Sequence, residues 1–173
     1  IIYLSINNNS MNIIIKKNIL IYKDYKLKCS IGKSGLKAKK KEGDFSTPKG
    51  NFKLGTLYYR KDRIKNFKCN LKKKIIKKNM GWCDDVISKK YNKEICFPFK
   101  HRAEKIYRSD NIYDIVINIK YNQSPIIKGK GSAIFLHIAH KNYKPTKGCV
   151  AITKKDFLKI LPIIKKNTKI IIS

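Results

Sequence analysis

Two residues in the last third of the chain have the types and spacing for covalent catalysis. His137 lies at the end of the apolar run Ala133 to Ile138, and Cys149 follows twelve positions later in Thr146-Lys147-Gly148-Cys149-Val150-Ala151. A thiol becomes a strong nucleophile when a neighbouring base takes its proton, and a histidine on an adjacent strand is a usual supplier. Gly148, directly before the cysteine, permits a tight turn that exposes the sulfur and aims backbone N–H groups at one point. Such a turn builds an oxyanion hole without side chains, and each donor in it is worth about 3–4 kcal/mol of transition-state stabilisation. Taken singly, a strand histidine is usually a core or edge residue and a cysteine a small buried hydrophobe. Together with Gly148 they point to acyl transfer through a thioester.

Other polar residues have plainer readings. His140 stands three positions after His137 and with Cys149 would make a metal set, but a strand turns residues at odd separation to opposite faces. The chemistry is therefore read without a metal or cofactor. Asp84 and Asp85 read first as turn formers. Trp82, Tyr91 and Tyr121 either line a substrate groove or pack a long connection. Five cysteines with no CxxC pair indicate neither a zinc ribbon nor a disulfide framework.

The elements that must position this pair are mostly strands. From Met11 to Ile31, short β-branched runs bounded by Lys-Asn and Lys-Asp predict two or three strands. Gly32 to Gly50 is a glycine- and lysine-rich loop that ends in the turn signal Thr47-Pro48-Lys49-Gly50, and Asn51 to Tyr59 alternates as a strand. Between Arg60 and Asp110 the pattern breaks into turns with an aromatic cluster, a long connection packed on the sheet as one wall of a cleft. Tyr113 to Ile119 and Ala133 to Ile138 are the clearest strands. Thr153 is a helix cap with Asp156 in the first turn, Pro162 ends that helix, and Thr168 to Ile172 closes the domain as a strand.

The 173 residues, 42% hydrophobic, suffice for one domain with a real core. That domain is read from Met11 to Ser173, with Ile1 to Ser10 a leader that is disordered or upstream of the native start. No run approaches the roughly 20 apolar residues of a membrane-spanning helix. No signal peptide is recognised either. The net charge of +30 suggests a polyanion partner, yet Arg60, Arg63, Arg102 and Arg108 are the only arginines among 41 basic residues. Nucleic-acid readers lean on the guanidinium fork, so no specific nucleic-acid partner is inferred. Lysine, isoleucine and asparagine are over-used together while alanine is scarce, which reads as AT-rich coding bias and a solvated lysine surface.

Gly131 to His137, then Thr146 to Ala151, resemble the His and Gly-Cys elements of the L,D-transpeptidase catalytic domain. Upstream, Glu42 to Gly50 is similar to that family's Gly-Asp-x-x-Thr-Pro-x-Gly segment. Gly81-Trp82-Cys83-Asp84-Asp85, Tyr91-Asn92, Tyr113-Asp114 and Tyr121-Asn122 look like a branch with an elaborated middle region. The resemblance implies a mainly β fold with short helices, a mixed β-sandwich, with the site between the middle region and the Gly148-Cys149 turn. It implies Cys149 as nucleophile, His137 as proton carrier and Gly148 as oxyanion donor, acting on peptidoglycan stem peptides in the periplasm or cell envelope. Trp82, Tyr121, Asn122, Thr146 and Lys147 are the substrate-seating candidates. One departure stands out: many members have Ser-His-Gly-Cys, then an apolar residue and Arg or Asn, where this chain has Thr146-Lys147-Gly148-Cys149-Val150-Ala151. Lys147 is expected to replace part of what is missing, because a cation beside a thiol favours the thiolate. The acceptor and the oligomeric state are not legible. A hydrolase of the same fold and a cationic module that binds an anionic polymer are the competing classes.

Overall fold

Isoleucine and other β-branched residues pack well on a pleated surface, and their short runs here form strands. The computed structural model describes residues 11–38 and 41–173, so the expectation for Ile1 to Ser10 falls outside the described residues. β1 (Ile13–Lys16), β2 (Ile19–Tyr22) and β3 (Tyr25–Lys28) form an antiparallel meander, as the first segment predicts. β4 (Leu36–Lys37) pairs with β5 (Thr47–Pro48) across the glycine-rich loop. β6 (Gly50–Tyr59) is the longest strand, followed by β7 (Lys73–Ile75), β8 (Met80–Cys83), β9 (Glu94–Cys96) and β10 (Ala103–Lys105). β11 (Ile115–Ile119), β12 (Phe135–Ile138) and β13 (Val150–Ile152) lead into α1 (Lys154–Ile160) and β14 (Lys169–Ile172).

Nine of these strands form one mixed sheet in the order β13-β12-β11-β6-β14-β1-β2-β3, with β7 also on β6. β12 and β13 run parallel, as do β1 and β14, while the other neighbours along that order are antiparallel. The sheet then curls until its ends meet. Ser30, just past β3, exchanges two backbone hydrogen bonds of 2.7 and 2.9 Å with Ala151 of β13. The inner face is filled by isoleucine and leucine from nearly every strand, closed by Phe157, Ile160, Leu161 and Ile164, all fully buried. Thr153 caps α1 as expected: its hydroxyl accepts from the Asp156 N–H and donates to the Asp156 carboxylate. Pro162 falls in the 3₁₀ turn Leu161–Ile163 that ends the helix.

The middle region differs from its reading as turns. β10-β8-β9 is a separate three-stranded antiparallel sheet laid on the outer face of the main one. Its strands are three or four residues long and interleaved with Glu and Lys, too short to display alternation in sequence. Met80, Trp82 and Ile106 from this layer bury Tyr58, Val116 and Phe135 of the main sheet in a second core. Two arginines, Arg60 and Arg63, fasten the loops beside it. Arg60 forks onto Asp62, donates to the Arg108 carbonyl and stacks on Tyr107, while Arg63 reaches Asp114 and the Asp110 carbonyl.

Asn92 joins the two layers. It is buried, in a left-handed conformation (φ 55°) that Asn tolerates better than most residues. Its Oδ1 accepts from Trp82 Nε1 (3.0 Å) and the Ala133 N–H (3.1 Å), and its Nδ2 donates to the Tyr121 and Asn122 carbonyls. Alanine there leaves several buried groups unpaired, each costing about 1–3 kcal/mol. Asn92→Ala is expected to lower the unfolding free energy by at least about 2 kcal/mol in a denaturant titration.

Candidate active site

Strand alternation puts the histidine where chemistry is possible. Leu136 and Ile138 point into the main core, so Phe135 and His137 face outward into the second core. There the Tyr113 ring meets the imidazole edge-on at 5.1 Å, and Trp82 and Tyr113 flank Phe135. The parallel register pairs His137 with Ala151. Cys149, two residues before Ala151, therefore comes level with Phe135 on the same face as His137, offset by one pleat of about 6–7 Å. The Phe135 N–H contacts Cys149 Sγ at 3.4 Å, as that register requires.

The turn before Cys149 is held from three directions. Gly148 has φ 137°, a region that side chains rarely adopt. Thr146 Oγ1 donates to the Cys149 carbonyl at 2.6 Å and accepts from the Gly148 N–H at 3.1 Å. On the other side the Thr146 backbone pairs with Ile31 and Lys33. Gly32 between them sits so close to the 45–47 backbone that an added Cβ would lie 2.3 Å from the Phe45 carbonyl oxygen. The Thr47 hydroxyl accepts the Gly32 N–H at 2.8 Å. Thr47 of the Thr-Pro segment noted in the sequence, with the backbone just before it, thus braces the cysteine turn through Gly32.

At rest the thiol is directed to the Ala133 carbonyl, with Sγ 3.3 Å from that oxygen. Ala133 holds a left-handed backbone (φ 51°), unusual for a residue with a side chain, and the Asn92 bond to its N–H fixes it there. His137 Nδ1 is 2.9 Å from the Ile138 carbonyl, which leaves Nε2 as the nitrogen to exchange protons. Burial, the largest influence, drives the imidazole pKa down to about 4, so it is neutral and able to accept a proton at pH 7.

Both residues open on a cleft of about 800 Å³. Of the substrate-seating candidates, Thr146 and Lys147 line it. Trp82, Tyr121 and Asn122 are not among its lining residues, because their polar atoms are engaged elsewhere. Trp82 Nε1 is bound by Asn92, Tyr121 Oη donates to the Lys130 carbonyl, and Asn122 Nδ2 donates to the Ile127 and Gly131 carbonyls. Tyr91 likewise donates to Glu42 and accepts from the Gly131 N–H. Sequence reading did not single out Tyr113, Glu104 or the Ala133 carbonyl. Tyr113 was visible as part of a motif but without a role, and a carbonyl leaves no trace in residue type.

Fold and cleft together define a mainly β domain that sets a cysteine thiol and a neutral imidazole on one face. The chain belongs to the L,D-transpeptidase catalytic domain (YkuD) family, whose model matches residues 1–172. That family acts on peptidoglycan, a substrate outside the cytoplasmic membrane. No curated protein and no solved structure matched the chain. Among the described residues, no helix is long and apolar enough to cross a membrane.

The buried imidazole also sets a pH dependence. Its pKa falls from 6.5 to about 4 on folding, so between those values the unfolded chain binds a proton that the native state refuses. Stability from this residue is complete above pH 6.5 and declines as pH drops toward 4, by about 3 kcal/mol. Chemical denaturation at pH 7 and pH 4 is expected to show a smaller loss in His137→Gln than in the parent.

Proposed function

We propose that this protein is a cysteine acyltransferase that forms L,D cross-links between peptidoglycan stem peptides through a Cys149 thioester. The observation that carries the reading is the register of β12 and β13, which sets Cys149 and His137 on one face at the head of the cleft. The thiol turns from the Ala133 carbonyl toward His137, which takes its proton. Sγ attacks the carbonyl that joins a diamino acid to a terminal D-residue. Backbone N–H groups of the Gly148-Cys149 turn receive the oxyanion, the Gly148 N–H giving up Thr146 Oγ1 to do so. The D-residue leaves with the proton from His137. An amine of a second stem resolves the thioester and makes the cross-link, whereas water in its place gives carboxypeptidase activity.

Thr146 and Lys147, at the cleft wall, seat the donor peptide, and the Lys147 ammonium favours the thiolate. Trp82, Tyr121 and Asn122 act from behind that wall by holding the 121–133 segment whose Ala133 faces the sulfur.

Incubation with a stem tetrapeptide, and separately with a carbapenem, is expected to leave a covalent adduct in the intact mass. Cys149→Ala is expected to leave none. A folded parent that remains unmodified by both reagents, with its thiol still alkylatable, would overturn the assignment. Lys147→Ala is expected to slow iodoacetamide alkylation of Cys149 severalfold at pH 7, and an unchanged rate would remove Lys147 from thiol activation.

A further inference from the structure

The cleft gathers acidic side chains that are few in this chain. Against 41 basic residues there are 11 acidic ones, yet Glu42, Asp84 and Glu104 all line this cavity. Asp84 is matched by the Arg102 guanidinium at 3.0 Å, and Glu42 accepts the Tyr91 hydroxyl. Arg108, also on the cleft, is forked onto Asp110. Glu104 is different. One oxygen, Oε1, accepts the Tyr113 hydroxyl at 2.7 Å, and no cation among the described residues forms an ion pair with it. The same Tyr113 packs its ring on His137 and lies in the second core with Cys149. A carboxylate is thereby held, through one aromatic side chain, beside the reacting pair.

β10 explains how Glu104 arrives there. It pairs with β8, Glu104 opposite Trp82, so the carboxylate comes from the added sheet and not from the strands that hold Cys149 and His137. Glu104 is half-buried, Arg108 and Lys147 act on it only at a distance without forming an ion pair, and a carboxylate left so inside a site is a sign that its close partner is a ligand. The ligand must be cationic, and the proposed reaction brings one: the acceptor amine, which is an ammonium in water and must lose a proton before it can attack.

We propose that Glu104 binds the ammonium of the acceptor stem and takes its first proton, which makes it a specificity residue for the second half-reaction. The inference rests on the acyl-enzyme reading above. The ammonium docks on Glu104 and passes one proton to the carboxylate, which later releases it to solvent. The freed nitrogen lone pair forms the N–C bond as the C–S bond breaks. The second proton leaves the nitrogen through His137 to the departing Cys149 Sγ, and the amide keeps the third. Burial raises the Glu104 carboxyl above its ordinary range, against the pull of Tyr113 and Arg108, in the direction that suits a proton acceptor. Water needs no ammonium site, so Glu104 separates cross-linking from hydrolysis at a shared thioester.

The test follows the fate of the acyl-enzyme in the parent, Glu104→Gln and Glu104→Asp. Gln keeps an oxygen for the Tyr113 hydroxyl and removes the charge, and melting midpoints report whether each variant is folded. With a stem tetrapeptide as donor and a diamino-acid stem as acceptor, the ratio of cross-linked to hydrolysed product is expected to fall at least about tenfold in Glu104→Gln. It should recover in part in Glu104→Asp. Trapping of the same thioester by hydroxylamine, uncharged at neutral pH, is expected to stay close to the parent's. An unchanged product ratio in Glu104→Gln overturns the proposal. So does an equal loss with hydroxylamine, which marks a structural role, or slowed acylation by tetrapeptide alone with carbapenem acylation intact, which marks a donor contact. A parent that forms no adduct overturns the acyl-enzyme reading first, and is distinguished from the other outcomes by the missing thioester.

Discussion

The arrangement depends on the seam where the sheet closes. Ser30 and Ile31 pair with Ala151 and Thr146, and this seam joins the first meander to the strand that begins just after Cys149. Without it, β13 would be an edge strand attached through β12 alone, and the cysteine turn would hang from an unpaired edge. With it, the turn has backbone partners on both sides, Thr146 ties its interior, and Gly32 lets the 45–47 backbone press against it from above. A strained conformation such as Gly148 persists only where its surroundings over-determine it, and the seam supplies that constraint.

The second layer converts this rigid turn into a site. The main sheet's interior is filled mostly by aliphatic side chains. The outer face of β11 and β12 needs a cover, and β8, β9 and β10 provide one that is apolar at Trp82 and Ile106 but polar at Glu104. Where the cover is apolar it excludes water from Phe135; where it ends, the cleft opens on His137 and Cys149. Asn92 and the arginine contacts at Arg60 and Arg63 fix the distance between the layers. Arginine is spent at these structural forks, because its planar donors match carboxylates and carbonyls, while lysine is left to the surface.

The electrostatics of the site follow from its burial. A neutral imidazole beside a thiol bonded to a carbonyl is a resting state with no separated charge, consistent with groups sunk between two hydrophobic layers. In a chain of net charge +30, negative groups in the cleft are the exception to the surface pattern. That contrast makes the cavity chemically distinct from the lysine-rich exterior.

Much of this was legible in the residues. Short β-branched runs of isoleucine, the Thr153 to Asp156 cap, Pro162, and the Gly-Cys turn are local features, and each produced the element that its short-range physics dictates. Cys149 and His137 could be paired because both lie at the margins of strong strands, and the ordered motifs identified the family. What stayed hidden was everything that depends on contacts distant in sequence. The strands of the middle layer are too short and too polar to stand out alone, and they exist because an uncovered sheet face is there to pack on. Trp82, Tyr121 and Asn122 looked like substrate groups by type but became framework, since a buried N–H or amide must find a partner and Asn92 and nearby carbonyls were within reach. Glu104 gave no signal at all, because a carboxylate's role is set by what surrounds it. The sequence by itself determined most strands of the main sheet and brought forward Cys149 and His137 as the candidate pair; the closure of the sheet and the stacking of a second layer decided where they meet and what faces them, because register and packing are properties of pairs of segments and not of any one.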